Sequence, residues 1–147
     1  MTDGAHDLRF GELNTGELVE ILRLRIDVFV VEQGCPYPEI DGRDDEPATR
    51  HVWIDDSAGR PAAYLRLLDD DDVRRIGRVV TRPLSRGEGL AGRLVHHALA
   101  TSEGPWVLDA QSHLARWYES FGFVQDGAEF LEDGIPHVPM RRKADGR

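Results

Sequence analysis

The sequence predicts an α/β fold: a mixed, mostly antiparallel central sheet with helices on both faces and one parallel βαβ crossover. Three observations lead there. Apolar or alternating runs at residues 51–55, 62–68 and 73–81 follow one another across short turns, as antiparallel strands do. A glycine-bearing loop then separates the apolar stretch 76–81 from an amphipathic helix and a short apolar strand, the order of a parallel crossover. A further helix and a closing hairpin complete the chain, so both sheet faces can be covered.

Taken in order, residues 8–13 read as a first strand. Asn14 with Glu17 has the form of a capping box, and Leu18, Leu22, Ile26 and Phe29 recur at helical spacing, so a helix runs to about Val31. Residues 32–47 hold three prolines, two glycines and six carboxylates and read as a loop. Ser57-Ala58-Gly59-Arg60-Pro61 is the turn before the strand at 62–68, and the acidic run 69–72 turns the chain into the strand at 73–81. Leu90, Leu94, Val95, Ala98 and Leu99 form the stripe of a helix over 90–100. Residues 106–110 are a short strand of buried type. Leu114, Trp117, Tyr118 and Phe121 mark a helix that Gly122 stops. Strands at 123–131 and 138–142 close the chain around Glu132-Asp133-Gly134.

With 147 residues the chain is expected to form one domain, residues 1–147, around a single core. No apolar run approaches membrane-spanning length, and residues 1–7 lack the basic and apolar parts of a signal peptide. The single cysteine, Cys35, forms no internal disulfide and suits a reducing compartment, so a cytoplasmic location without membrane partners is expected. A net charge of −9 argues against nucleic acid as a partner and favours a cationic one. Glu39, Asp41, Asp44 and Asp45 match no calcium-loop spacing, and no His/Cys pairing supports zinc, so no metal is expected. These carboxylates read as a solvated loop, some of them able to attract a cationic amine. His96 and His97 read as surface residues, and Trp53, Trp106 and Trp117 as core.

Arg86-Gly87-Glu88-Gly89-Leu90-Ala91-Gly92 is the most informative stretch. Glycines let main-chain N–H groups converge on a ligand where a helix begins, and the helix dipole adds positive potential, so a phosphate is the expected guest. Two other readings stay open on the residues alone. Gly87-x-Gly89-x-x-Gly92 with Asp109 matches a dinucleotide fingerprint, although residues 81–86 separate it from its strand and only 38 residues follow Asp109. The loop could also simply start a helix.

Arg86-x-x-Gly89-x-Ala91 resembles the (Gln/Arg)-x-x-Gly-x-(Gly/Ala) signature of the GCN5-related N-acetyltransferases (GNAT), with Ala91 in place of the more usual final glycine. Tyr118-Glu119-Ser120-Phe121-Gly122-Phe123 resembles that family's Tyr-Glu-x-x-Gly-Phe element. Residues 28–39 (VFVVEQGCPYPE), Asp41-Gly42-x-Asp44, Ala110-Gln111-x-His113-Leu114 and Glu132-Asp133-Gly134-Ile135-Pro136-His137 resemble its ElaA-type branch. The resemblance covers residues 8–142.

The resemblance implies a GNAT-like fold and an acetyl-CoA-dependent N-acetyltransferase acting on a primary amine of a small molecule or peptide. Direct attack on the thioester in a ternary complex is implied with it. Val79, Val80 and Thr81 would lie beside the pantetheine arm, with a main-chain N–H near Val80 on the acetyl carbonyl, and Gln111 would contact the arm. Amides of Gly87, Glu88, Gly89, Leu90, Ala91 and Gly92 would hold the pyrophosphate, with Arg86 adding charge. Tyr118 would be the general acid, whereas its spacing alone, on the helix face of Leu114 and Phe121, reads as core packing. Glu32, His113 and His137 are the candidates for general base, since histidine titrates near neutrality and a buried glutamate can be raised toward it. An ordered water is the alternative. Cys35 as a nucleophile has no basic neighbour that the sequence can place beside it and reads as a small half-buried residue. A rival of another class keeps the fold as a non-catalytic acyl-CoA sensor. The oligomeric state stays open between monomer and homodimer, because a closing hairpin can pack within one subunit or across two.

Overall fold

Asn14 opens the first helix as a capping box: its side chain accepts the Glu17 N–H at 2.7 Å, and Glu17 accepts the Asn14 N–H at 2.9 Å. The structure is a computed structural model that describes residues 4–144. The helix, α1 (Thr15–Ile26), follows a short strand β1 (His6–Arg9). It runs on into a π-helical segment, Asp27–Glu32, whose wider turn shows in the Gln33 N–H donating to the Val28 carbonyl at 3.1 Å. The first strand is shorter than its sequence predicts, because Phe10–Glu12 coil into a 3-10 turn. Residues 33–49 form neither helix nor strand.

The strands β2 (Arg50–Asp55), β3 (Pro61–Asp70) and β4 (Val73–Thr81) pair antiparallel in sequence order. Helix α2 (Leu90–Thr101) then crosses to β5 (Trp106–Gln111), which lies parallel to β4. After α3 (Ala115–Glu119) come β6 (Val124–Gln125), β7 (Phe130–Glu132) and β8 (Ile135–Arg142). The sheet order is β1-β2-β3-β4-β5-β8-β6, with β7 also on β8.

Burial follows from this layering. β3 is covered on both faces, and residues 61–68 are buried without exception. Ile21, Leu24 and Val28 pack with Trp53, Tyr64 and Val80 on one face. Leu94, Val95 and Ala98 pack with Val52, Leu65, Leu67 and Ile76 on the other. Fully burying one such side chain contributes about 1.5–3 kcal/mol, which fixes the face each helix presents. Trp53 and Trp106 are core residues and Trp117 is partly buried.

The closing hairpin departs from the expected pair of strands. The stretch 123–131 is broken into β6 and β7, because Pro139 of β8 has no N–H to donate and Gly127 lies against its ring. A Cβ at Gly127 would stand 2.8 Å from Pro139 Cγ. No helix of the described residues is long and apolar enough to cross a membrane.

Candidate active site

β4 and β5 are joined only at Arg74 beside Trp106 and Arg75 beside Val107. Beyond that point β4 stays with β3 and β5 stays with β8, so the two strands part and a cleft of about 840 Å³ opens between them. That is the size of a small-molecule site. The residues Val79, Val80, Thr81 and Gln111 line it, as do Tyr118, His113, His137, Glu32 and Arg86. Of the residues expected to hold a pyrophosphate, Arg86 and Ala91 line the cavity, and Gly87, Glu88, Gly89, Leu90 and Gly92 do not.

A bulge shapes the β4 wall. Tyr64 pairs with Val80 but Arg66 pairs with Gly77, so Arg78 and Val79 together oppose Leu65. Arg78 takes a φ of +53°, unusual for a residue with a side chain. Bulges leave one residue outside the ladder and re-aim the side chains beyond it.

At the cleft mouth, Gly87 (φ +87°) and Gly89 (φ +75°) turn the chain into α2. Gly89 is the N-cap and offers no side chain to the first-turn N–H groups of the helix. A Cβ on either glycine would meet no atom within 4 Å, so the space in front of the turn is open. Gly92 has a different job, since Phe121 Cζ lies 3.5 Å from where its Cβ would be.

Arg86 does not stand alone at this mouth. Its guanidinium donates to both carboxylate oxygens of Glu32, at 2.8 and 2.6 Å, and to the Thr81 carbonyl at 3.3 Å. The Glu32 carboxylate is exposed rather than buried, and the Arg86 hydrogen bond holds its pKa below the usual carboxylate range. The raised glutamate that a general base would need is not what the chain forms there.

Tyr118 is buried on α3, edge-on to Trp117 and Phe123 with centroids 4.8 and 6.2 Å away. Burial pushes its phenol pKa up. No described residue hydrogen-bonds its hydroxyl, which leaves that proton available to the cleft.

His137 lies in β8 opposite Gln111, with its ring stacked on Phe130. Its Nδ1 donates to the Ile135 carbonyl at 2.7 Å, and Glu132 Oε2 is 3.5 Å from its Nε2. His113 is exposed on the 3-10 turn Ser112–Leu114. Cys35 donates to the Asp133 carbonyl at 3.2 Å and ties the 33–49 segment to the β7–β8 turn.

Of the four carboxylates expected in a solvated loop, Glu39 and Asp44 are buried, while Asp41 and Asp45 are exposed. Arg25, wholly buried on α1, donates to Glu39 at 2.7 Å and to Asp44 at 2.6 Å. Arg66 donates to Asp41 at 2.9 and 2.8 Å and to Asp44 at 3.1 Å. Arg78 reaches Glu39 at 2.8 Å and Asp41 at 3.3 Å. His51 bridges the Tyr64 hydroxyl at 2.7 Å and the Asp44 carbonyl at 2.9 Å. Burial opposes the charged form of Asp44, but the hydrogen bonds and charges of Arg25 and Arg66 outweigh it, so its carboxyl stays below the ordinary range. This network fastens the segment over the cleft. A signal for it was present: Arg66 interrupts an apolar run and Arg25 shares the helix face of Ile21, and buried arginines require partners. His97 is likewise no free surface group, since it pairs with Asp7 at 2.8 Å. Among the described residues no three His, Cys, Asp or Glu side chains gather as a metal site.

Comparison with known proteins agrees with this architecture. The acetyltransferase (GNAT) domain family matches residues 35–144. The UPF0039 protein of Mycobacterium tuberculosis is 45% identical over 152 residues, spanning all of this chain and 97% of that protein. Escherichia coli ElaA is 42% identical over 147 residues, spanning 93% of this chain and 94% of that protein. The ElaA crystal structure superposes with a TM-score of 0.88 at 39% identity, over 95% of this chain and 98% of that one. An acyl-CoA N-acyltransferase from Pseudomonas aeruginosa also reaches 0.88 at 40% identity, over 94% of this chain and 97% of that one. With a parallel pair that parts over a cleft and a glycine turn at its mouth, the chain belongs to the GNAT family of N-acetyltransferases, enzymes that use an acyl-CoA.

Proposed function

We propose that this protein transfers an acetyl group from acetyl-CoA to a primary amine of a small molecule or peptide, by direct attack in a ternary complex. The observation that carries this reading is the early end of β4–β5 pairing, which opens one slot lined by Arg86 and Ala91, on either side of the glycine turn, and by Tyr118 and His137.

The residues present fit a phosphate-bearing thioester. Gly87 and Gly89 leave open space before the uncapped N-terminus of α2, where a diphosphate is stabilised by orphan N–H groups and the helix dipole. Val79, Val80, Thr81 and Gln111 line the slot beyond it, where an extended arm would lie. Bound there, acetyl-CoA supplies an activated acyl carbon and a thiolate leaving group.

The rest falls to the protein. Main-chain N–H groups near Val80, beside the bulge, are the donors for the acyl oxygen as it gains charge. Tyr118 returns a proton to the departing sulfur, and its raised pKa keeps that proton in place at neutral pH. His137 Nε2 takes the proton that the attacking amine loses, through a water where the reach requires one, and Glu132 then steadies the imidazolium. His113, exposed at the rim, and Glu32, tied to Arg86, serve this less well. The single free thiol, Cys35, fits a reducing cytoplasm, where we place the reaction.

Thiol release from acetyl-CoA, followed with a panel of alkylamines, aminoglycosides and short peptides, tests this reading. Acceleration by at least one amine supports it. Tight acetyl-CoA binding that no amine accelerates favours a non-catalytic sensor instead.

A further inference from the structure

Asp109 has a place in the fold that a role as partner for a dinucleotide ribose does not explain. It lies in β5, a central strand with β4 on one side and β8 on the other, yet it is exposed. Charged residues are rare inside a central strand unless something meets them. Its side chain faces away from the α2 core, because its neighbours Leu108 and Ala110 belong to that core. It therefore stands on the floor of the cleft, on the face of Gln111, two residues further along the same strand, and of Pro139, its partner in β8. His137 lies two residues before Pro139 on that same face. Residues two apart on a strand are separated by about 7 Å, so Asp109 and the proposed proton acceptor flank one small region.

The cross-strand neighbour on the β4 side is missing. Arg66 pairs with Gly77 and Leu68 with Arg75, which puts Gly77 and Arg75 on the cleft face. Past Arg75 and Val107 the strands no longer pair, so Gly77 and Asp109 line the cleft from its two walls. Gly77 has no positive φ, and a Cβ there would meet nothing within 4 Å. Neither backbone conformation nor packing calls for glycine at this position; what its bare Cα leaves is room in the cleft.

Asp109 is also under-used. Its one charged neighbour is Arg75 Nη1 at 3.6 Å, too long for a hydrogen bond, and the same guanidinium donates from Nε to Asp70 at 3.3 Å. A carboxylate can accept about four hydrogen bonds, and this one accepts none from a described residue. Arg75, which lines the same cleft, lies near the carboxylate without hydrogen-bonding it.

We infer that Asp109 is the binding residue for the acceptor's amine end, that Gly77 provides the space for the carbon that bears the amine, and that Arg75 is a positioning residue for the carboxylate. The acceptor class is a cationic primary amine that arrives over the sheet face beneath the 33–49 segment, releases its ammonium proton to water in the cleft, and gives His137 the second N–H proton as it attacks. This inference rests on the acetyl-transfer reading and deepens it.

The test is steady-state acetylation of butylamine, 1,4-diaminobutane and α-methylbenzylamine, with parallel calorimetric titration of acetyl-CoA. Asp109→Asn is expected to raise the amine KM by about 10- to 100-fold while leaving acetyl-CoA affinity at the wild-type value, since a charge-assisted contact to the amine alone is lost. Asp109→Glu is expected to recover part of that loss, which a merely structural role would not show. Gly77→Ala is expected to raise KM more for the branched amine than for butylamine. An unchanged amine KM in Asp109→Asn overturns the inference and leaves acetyl transfer standing. If the wild type acetylates no amine, the transfer reading falls, and titration of 1,4-diaminobutane into the CoA complex then decides: binding lost in Asp109→Asn supports the inference, and equal or absent binding overturns it.

Discussion

Both carboxylate oxygens of Glu32 sit on the Arg86 guanidinium, so the π-helical end of α1 is clasped to the glycine turn that opens α2. The clasp places a negative charge where a diphosphate is proposed to dock. Glu32→Gln is therefore expected to tighten acetyl-CoA binding and Arg86→Gln to weaken it. An exposed pair is strongly screened by solvent, so each change should be small, within about fivefold. Calorimetric titration at low and high salt checks this, and the difference should shrink as salt rises. A large fall in kcat for Glu32→Gln at unchanged affinity would instead make Glu32 the base.

Tyr118 gives a pH signature as well as a rate. Tyr118→Phe should lower kcat by about 10²- to 10⁴-fold, the usual worth of a positioned acid, with acetyl-CoA affinity near normal. Burial raises the phenol pKa, so the proton persists as pH climbs and is lost only above the raised value. The wild-type kcat profile should accordingly show no fall up to about pH 10, the ordinary phenol value. A descending limb at lower pH would exclude Tyr118 as the acid.

His137 should matter to the rate and His113 should not. His137→Gln should lower kcat at neutral pH with acetyl-CoA affinity near normal, whereas His113→Gln should leave kcat near the wild-type value.

The buried charge network is expected to dominate acid sensitivity. Asp44→Asn strips a carboxylate from between Arg25 and Arg66 and should destabilise by about 3–5 kcal/mol, read by urea melts at neutral pH. Asp41 and Asp44 both have lowered folded pKa values: burial opposes the shift, and the arginines override it. Their contribution is thus complete above the unfolded value, about 4, and drains away as pH falls through the folded values. The midpoint of Asp44→Asn should consequently change less than that of the wild type between pH 7 and pH 3.

Local patterns carried most of the fold, and long-range pairing supplied what they could not. The Asn14–Glu17 cap, the β2–β4 meander and the α2 crossover were legible because each depends on neighbours in sequence. The break between β6 and β7 was not, since it depends on Pro139, a partner strand away. Glu39 and Asp44 looked solvated because their arginines lie 14 to 39 residues distant. The cleft itself follows from where β4 stops pairing with β5, which no single segment encodes. Asp109 stood out in the sequence only through a disfavoured dinucleotide match; that it lines the cleft opposite Gly77 follows from the parting of β4 and β5, which the sequence does not encode locally.

Calorimetric titration of acetyl-CoA into the wild type and into Gly89→Val bears most directly on the central claim, that main-chain N–H groups opening α2 hold the diphosphate. Saturable heat is expected for the wild type, with marked weakening in Gly89→Val, whose thermal melt should remain cooperative. Absence of heat from the wild type, or equal affinity in the two proteins, would contradict it.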